Sequence, residues 1–465
     1  MLNEKTRLPG GKMLGTGESR MMLLQAFSRG GPVIWASALL MGLGNLVSGQ
    51  ILKGSLFLII ETAFLIFFFM KDGGLARIAA LPSLGDRAQG EVWNEEKGIF
   101  EYIEGDRSQL ILLYGIAAVF VCVLFVFIWR ASVISGAEAL SARRAGGSPS
   151  SFSDDIRELF DNRIHRLLMF LPSAFLLVFT VLPLVYMMSM AFTDFSREGD
   201  RLVLFDWVGL RNFTSVFNAS SIVGKQFWQV LLWTLVWAFF ATFLNFIFGT
   251  LLAMMINRPS IRLKGLWRTV LATTIAVPQF VSLMVIRSML QPQGIINRLL
   301  QNGALIASPL PFLTDTAFAR ALVIIVNLWI GIPYTILQVT GVLNNIPKEQ
   351  YDATKVDGCN AFQTFMNVTV PYMMFVLTPY LITQFTGNIN NFNVIYLLTR
   401  GEPITVGNSA GDTDLLITWL YKLSVDQQKY NLAAVIGILT FIVLSAVALI
   451  TYNNSRSYKN EEGFK

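Results

Sequence analysis

The stretch EQYDATKVDGCNAFQTFMNVTVP, Glu349 to Pro371, lies between two of the most hydrophobic parts of the chain, yet it carries three acids, a lysine and a punctuating glycine. What flanks it sets its meaning. The neighbouring apolar runs reach about 18 residues or more, the length a bilayer core demands. With 54% hydrophobic and only 14% charged residues, the 465-residue chain falls among integral membrane proteins. The runs are rich in Leu, Phe, Ala and Met and lack the short alternating segments of a barrel. In lipid every backbone polar group needs an internal partner, so such runs are helices and the predicted fold class is all-α.

Working outward, the clear spans fall at about 53–70, 109–130, 167–192, 228–256, 269–290, 317–343, 371–396 and 430–453, about eight transmembrane helices. A further apolar segment, GPVIWASALLMGLGNLVSGQ from Gly31, is broken by glycines and read as an interfacial or re-entrant element, a ninth span being the alternative. Charge favours the first reading. Lys5, Arg7, Lys12, Arg20 and Arg29 precede this segment, and Arg143, Arg144, Arg157, Arg163 and Arg166 lie in the linker 131–166. Both stretches read as cytoplasmic under the positive-inside rule, so an even number of spans separates them. The loop 71–108, with Asp86, Glu91, Glu95, Glu96, Glu101, Glu104 and Asp106, fits the outside. Continuing the alternation puts 344–370 inside, together with the tail bearing Arg456, Lys459 and Lys465. The opening stretch is therefore expected to be cytosolic. The linker ALSARRAGGSPSSFSDD, small, polar and glycine-containing, reads as a flexible junction. It divides an N-terminal hairpin from six further spans.

Composition removes several function classes. The net charge of +6 marks cytoplasmic loops more economically than nucleic acid, for which no basic aromatic motif is present. Cys122 and Cys359 lie in an apolar run and a polar loop, so no disulfide is expected, and neither has a metal-ligand neighbour. His165, the one histidine, adjoins Arg166 without ligands at metal spacing. The N-terminus offers no apolar core before a small-residue cleavage site, so a removed signal peptide is not expected.

Within the polar stretch, Pro347 suits a first turn, Gly358 can stop a helix, and KEQYDATKVD between them is helix-compatible. One face carries Tyr351, Ala353 and Val356. An amphipathic connector on the membrane surface is one reading, and a docking plug for a soluble partner is the other.

The residues DATKVDGCNAFQTFMNVTVP resemble the EAA loop of importer-type ABC transporter permeases, in which E-A-A, three residues and a Gly are followed by a Phe and, thirteen residues after the Gly, a Pro. Asp352, Ala353, Thr354, Asp357, Gly358, Phe365 and Pro371 occupy the pattern positions. Asp352 replaces the usual Glu and Thr354 the second Ala. The resemblance implies that this loop is a coupling helix inserted into a cleft of an ATP-hydrolysing subunit, with Tyr351, Asp352, Ala353, Asp357 and Gly358 as the coupling residues. Over about residues 160–465 the chain is also similar to the larger membrane subunits of maltose and maltodextrin importers. This similarity is carried by NLWIGIPYTILQVTGVLNNIP, GNINNFNVIYLLTRGEP and GDTDLLITWLYKL. It implies a permease core at 151–465 with a coupling loop at 346–371, preceded at 1–150 by a cytosolic tail, an interfacial segment and an accessory hairpin. The first 150 residues are not covered, although GLGNLVSGQILKG resembles an element ahead of the core in some bacterial sugar permeases. The large outer insertion of the enterobacterial subunit is missing.

Polar groups at mid-membrane depth are costly and point to function. Asn327, Gly331 and Tyr334 fall on one helical stripe, and Asn388, Asn390 and Asn391 cluster in the next span. Amides that donate and accept, beside a flat phenol ring, suit an uncharged polyhydroxyl ligand; interhelical hydrogen bonds are the alternative. The resemblance places Asn327, Ile330, Gly331, Tyr334, Asn388 and Asn391 in a sugar site. Asn390 is left as a packing residue. Gln279 and Ile275 stand where the maltose permease has a serine and a tyrosine, and Gly387 where it has a stacking aromatic, which favours an oligosaccharide other than maltose itself. Pro278 and Pro333 adjoin this region and are expected to unwind backbone.

No G-x-x-x-x-G-K-S/T loop occurs, so no cofactor is expected on this chain, and ATP and Mg belong to a partner. The chain is then a non-enzymatic permease subunit for an oligosaccharide. The resemblance implies as partners a second homologous permease subunit, two copies of a cytosolic ATPase, a sugar-binding protein and membrane lipid. The implied location is the bacterial cytoplasmic membrane, with both termini cytoplasmic. A secondary transporter or channel for a small polar solute, acting without an ATPase, is the alternative; Glu61 is the lone acid near the middle of a span and is expected to pair locally or lie in an interhelical contact. A membrane enzyme would need convergent catalytic groups that the spans lack.

Overall fold

Residues 23–95, 97–161, 164–258 and 260–454 are described by the structure, a computed structural model. The basic residues expected to anchor the two tails on one side, Lys5 to Arg20 and Arg456 to Lys465, lie outside the described residues, as do Glu96 and Arg163. Among the described residues, seven helices are long and apolar enough to cross a membrane, or eight if one bent pair is counted as a span. The chain divides into two units between Tyr186 and Met187.

In the first unit, Gly31–Gln50 is broken into short helices, as its glycines demand. Helices α1 (Leu23–Gly30), α2 (Pro32–Leu39) and α3 (Leu43–Val47) hold 8, 8 and 5 residues, so each rises about 12 Å or less, well short of a bilayer core. Gly42, at φ +83, makes the sharpest of these turns; a Cβ there would lie 2.3 Å from the Gly54 carbonyl oxygen. The turn leaves N–H groups that two long helices satisfy. Glu61, on α4 (Ile51–Phe69), accepts from the Met41 N–H at 2.8 Å, and Ser132, on α6 (Ser108–Arg144), accepts from the Gly42 N–H at 3.0 Å. The mid-span acid thus binds backbone, which explains why a carboxyl is retained in an apolar helix.

Between α4 and α6 lie α5 (Gly74–Ala79) and an antiparallel hairpin of β1 (Gly90–Asn94) and β2 (Ile99–Ile103), so the acidic loop carries a small sheet that hydropathy alone does not predict. Helix α6 runs past the expected end of its span to Arg144, because ASVISGAEALSARR contains good helix formers and ends in two cations that suit the C-terminal dipole. The expected flexible junction therefore shrinks to the residues between Ala145 and Ser151, where Ser151 caps α7 (Phe152–Phe160) in a capping box with Asp154. Helices α8 (Ile164–Leu176) and α9 (Leu182–Met190) join through a π-turn at Leu177–Val181.

The second unit is built on two long helices. After α10 (Arg211–Phe217), α11 (Ile222–Asn257) packs along α15 (Thr316–Asn345); at 36 and 30 residues they rise about 54 and 45 Å. Small buried residues on α11, Ala238, Ala241, Gly249 and Ala253, let backbones approach, and a Cβ at Gly249 would lie 2.5 Å from the Thr335 Cβ on α15. Ser221 and Asp315 cap them. The span expected at 269–290 is instead two helices, α12 (Lys264–Ala276) and α13 (Gln279–Met289), set at 85°. Pro278 breaks it: the ring disfavours helical backbone at Val277, which is extended. Beyond α14 (Ile295–Asn302) and α15 come α16 (Lys348–Val356), α17 (Ala361–Thr364) and, after a π-turn, α18 (Val370–Ile389). The chain breaks at Asn390 before α19 (Phe392–Leu398), and α20 (Leu416–Tyr421) and α21 (Tyr430–Asn454) complete the unit. A buried ion pair, Lys422 to Asp414 at 2.6 Å, ties the loop after α19 to the end of α20, and the same carboxylate accepts from the Gly411 N–H and the Thr418 hydroxyl.

Candidate functional site

All seven residues singled out on the spans line one cavity of about 440 Å³ in the second unit. Asn327, Ile330, Gly331 and Tyr334 come from the middle of α15, Asn388 from the end of α18 and Asn391 from the cap of α19. Gln279 enters from the first turn of α13, with Ile275 from α12, because the break at Pro278 turns the chain at that point. Pro333 leaves α15 continuous, contrary to the expected unwinding; it removes the donor that would pair with the Trp329 carbonyl, and Trp329 lines the cavity too. No charged residue is among the lining residues, which present amides, hydroxyls and aromatic rings.

Hydrogen bonding separates these amides into two kinds. Asn388 donates to the Thr242 hydroxyl at 3.0 Å and accepts from Asn391 Nδ2 at 3.3 Å, while its carbonyl accepts from Trp237 Nε1 at 3.0 Å. Asn391 in turn caps α19 by accepting from the Val394 N–H. These two amides hold α11, α18 and α19 together. Asn327 is different: it is buried, and its Nδ2 has no partner among the described residues. Asn245 Oδ1 is also unpartnered, while its Nδ2 donates to the Ala241 carbonyl at 2.6 Å. A buried amide without a partner costs the full desolvation of the group, and a cavity ligand is one way to recover it.

Gly331 has a reason beyond ligand access. A Cβ at that position would lie 2.3 Å from Asn245 Nδ2, so only glycine lets the amide lie across α15. Asn245 was not among the residues read from the sequence, and nor were Gln338, Gln384 and Tyr380, all of which line the cavity. A signal existed for three of them: Gln338 follows Tyr334 by one helical turn, and Gln384 and Tyr380 precede Asn388 by one and two turns. Asn390 is exposed and is not the packing residue expected of it. At Gly387 an added Cβ would meet nothing within 4 Å.

The polar stretch follows the opposite end of α15 from Thr316. Pro347 caps α16 and Gly358, at φ +71, ends it, a conformation suited to glycine. The expected face of Tyr351, Ala353 and Val356 is revised. Tyr351 and Thr354 turn inward, Tyr351 to the Thr369 hydroxyl at 3.2 Å and Thr354 to the Thr364 hydroxyl at 3.2 Å, whereas Asp352, Ala353, Val356, Asp357 and Gly358 are exposed. Val356 is 88% exposed, although α16 is anchored to the neighbouring chain by its other side. Lys355 bonds the Asp352 carboxylate at 2.7 Å and holds it below the usual carboxylate range, so this face is charged at neutral pH.

Residues 245–456 match the family model of binding-protein-dependent transport system inner membrane components. The chain is 31% identical over 426 residues to the galactooligosaccharides transport system permease protein GanP of Bacillus subtilis, covering 90% of this chain and 96% of that one. It is also 31% identical over 436 residues to the maltodextrin transport system permease protein MalC of Streptococcus pneumoniae, covering 90% and 95%. Similarity to the maltose/maltodextrin transport system permease protein MalF of Escherichia coli is 35% over 254 residues, 53% of this chain and 49% of that one. Among solved structures, a bacterial ABC transporter involved in import of the acidic polysaccharide alginate aligns with a TM-score of 0.53 at 21% identity, covering 64% of this chain and 97% of that one; this likeness concerns the fold.

Proposed function

The chain belongs to the permease family of binding-protein-dependent ABC importers, and from that premise we propose that it carries an uncharged oligosaccharide through the cavity between α11, α13, α15 and α18. The observation that carries this reading is a buried, unpartnered Asn327 amide in a cavity of about 440 Å³ with no charged lining residue. Ligand pockets of roughly 300–1,000 Å³ accommodate small solutes. Amides and hydroxyls satisfy sugar hydroxyls, and Tyr334, Tyr380 and Trp329 offer ring faces. An acidic sugar would leave its carboxylate without a cation here.

Residues 151–465 act as the transport core in this reading, and residues 1–150 as an accessory region. The exposed face of α16 docks into an ATPase that binds ATP and Mg, and this chain binds neither. The assembly comprises a second homologous permease subunit, two ATPase copies and a binding protein, in a bacterial cytoplasmic membrane with both termini and α16 on the cytoplasmic side. Closure of the ATPases moves α16, and through it α15 and α18, so that the cavity opens outward to accept sugar. Hydrolysis returns it inward. The cycle requires nucleotide and sugar to favour different states.

Asn327→Ala tests the site. Because the amide Nδ2 has no protein partner, its loss should leave thermal stability unchanged and raise the apparent KM for oligosaccharide about 5- to 10-fold, the value of one neutral hydrogen bond. An unchanged KM with a lowered Tm would make Asn327 a packing residue.

A further inference from the structure

A second pocket, of about 240 Å³, opens at the end of α13 where the chain turns toward α14, the end of the unit opposite α16. Two guanidinium groups line it, Arg287 from the last turn of α13 and Arg400 from the turn after α19. Arg287 is mostly buried, and its only ion-pair partner among the described residues is Glu402, at 3.5 Å through Nη2. Its Nη1 is buried and has no hydrogen-bond partner among the described residues. Arg400 makes no side-chain hydrogen bond among the described residues, and it sits at φ +54, a backbone conformation that side chains with a Cβ rarely adopt. The turn is held there by the Arg400 N–H bonding the Ile395 carbonyl at 3.0 Å. Two carboxylates stand near these cations: Glu402 pairs with Arg287, and Asp426 lies close enough to act on Tyr396, as Arg400 does.

A buried guanidinium nitrogen without an acceptor is among the costlier arrangements a protein can hold, and a planar fork of N–H donors matches an oxyanion. Gln291 lines the same pocket with an amide that can donate to a further oxygen, while the Ser288 hydroxyl is committed to the Val285 carbonyl at 2.8 Å and the Tyr396 hydroxyl bonds Tyr421. We propose that Arg287 and Arg400 form an oxyanion site whose ligand is a phosphate group. Met284 and Leu397 make the remaining wall apolar, which suits the glycerol and acyl portion of a phospholipid whose phosphodiester sits between the two arginines. The site is distinct from the sugar cavity: none of its residues lines that cavity.

The test uses the chain purified in detergent with whatever partners it retains, compared with Arg287→Gln/Arg400→Gln and with the charge-keeping Arg287→Lys. Native mass spectrometry reads retained phospholipid, and a parallel titration of delipidated protein with inorganic phosphate reads thermal shift. A stoichiometric phospholipid on the wild type that is lost from the double variant supports a lipid headgroup as the source. Saturable stabilisation by phosphate, weakened about tenfold or more in the double variant and less in Arg287→Lys, supports free phosphate as the source. Equal lipid retention together with an equal phosphate response in wild type and variants overturns the site. Should the double variant fail to insert, Arg400→Gln alone gives the same reading, because that side chain is exposed and makes no hydrogen bond among the described residues.

Discussion

Asn327 and Asn388 are the same residue type lining the same cavity, yet their hydrogen bonding differs. Asn388 bonds across to Thr242 and receives Asn391, so removing it strips a link between helices. Interhelical hydrogen bonds in membrane proteins contribute about 1 kcal/mol. Asn388→Ala should therefore lower the Tm of the purified protein by an amount consistent with that loss, whereas Asn327→Ala should not; equal Tm changes in the two variants would remove the distinction. The stripe of Asn327, Gly331 and Tyr334 was legible because a period of 3.6 residues places them together and because polar groups in an apolar run stand out. Which amide lacks a partner was not legible, since that depends on side chains of another helix such as Thr242. Asn245 itself was hidden by the apolar sequence around it, and Gly331 reads as a sugar contact until the Asn245 side chain is seen lying across it.

Helices show where hydropathy succeeds and where it stops. It locates α4, α15 and α21 within a few residues, since long apolar runs have few alternatives. It merges α12 with α13, because an 85° turn at Pro278 leaves the apolar content unchanged and alters only direction. It assigns too much of the 131–166 linker to flexible chain, because Ala, Glu and Arg there are helix formers whatever their hydropathy. It also misses the β-hairpin in the acidic loop, a local pairing of Trp93 with Phe100 and of Glu91 with Tyr102. In α16 the sequence shows a polar helix stopped by Gly358 but not its buried side, since Thr354 is as polar as its exposed neighbours. The exposed side carries the coupling prediction. Val356→Glu should leave insertion and Tm unchanged, because the side chain touches solvent, while co-purification of an ATPase falls at least tenfold. Undiminished co-purification would return α16 to a surface connector.

At the scale of the molecule, the cavity and α16 are joined by α15, which supplies Asn327, Gly331 and Tyr334 at its middle and leads directly into the exposed helix at its end. Only the short extended step at Ile346 and Pro347 separates the helix with the proposed sugar contact from the helix with the proposed ATPase contact, so the proposal requires a displacement of one to be felt at the other. Under that proposal linkage follows, because a nucleotide state that moves α16 would change the affinity of the cavity. An ion-coupled carrier has no such need, and its coupling would call for carboxylates, His, Lys or Arg in the cavity, where none is among the lining residues. The most direct test is ATP hydrolysis by the complex affinity-purified through this chain from its own membrane, reconstituted with its binding protein and offered neutral oligosaccharides. The account predicts that an ATPase co-purifies and that a neutral oligosaccharide stimulates its turnover, with a higher apparent KM in Asn327→Ala. A chain that purifies alone and moves solute without nucleotide would contradict it.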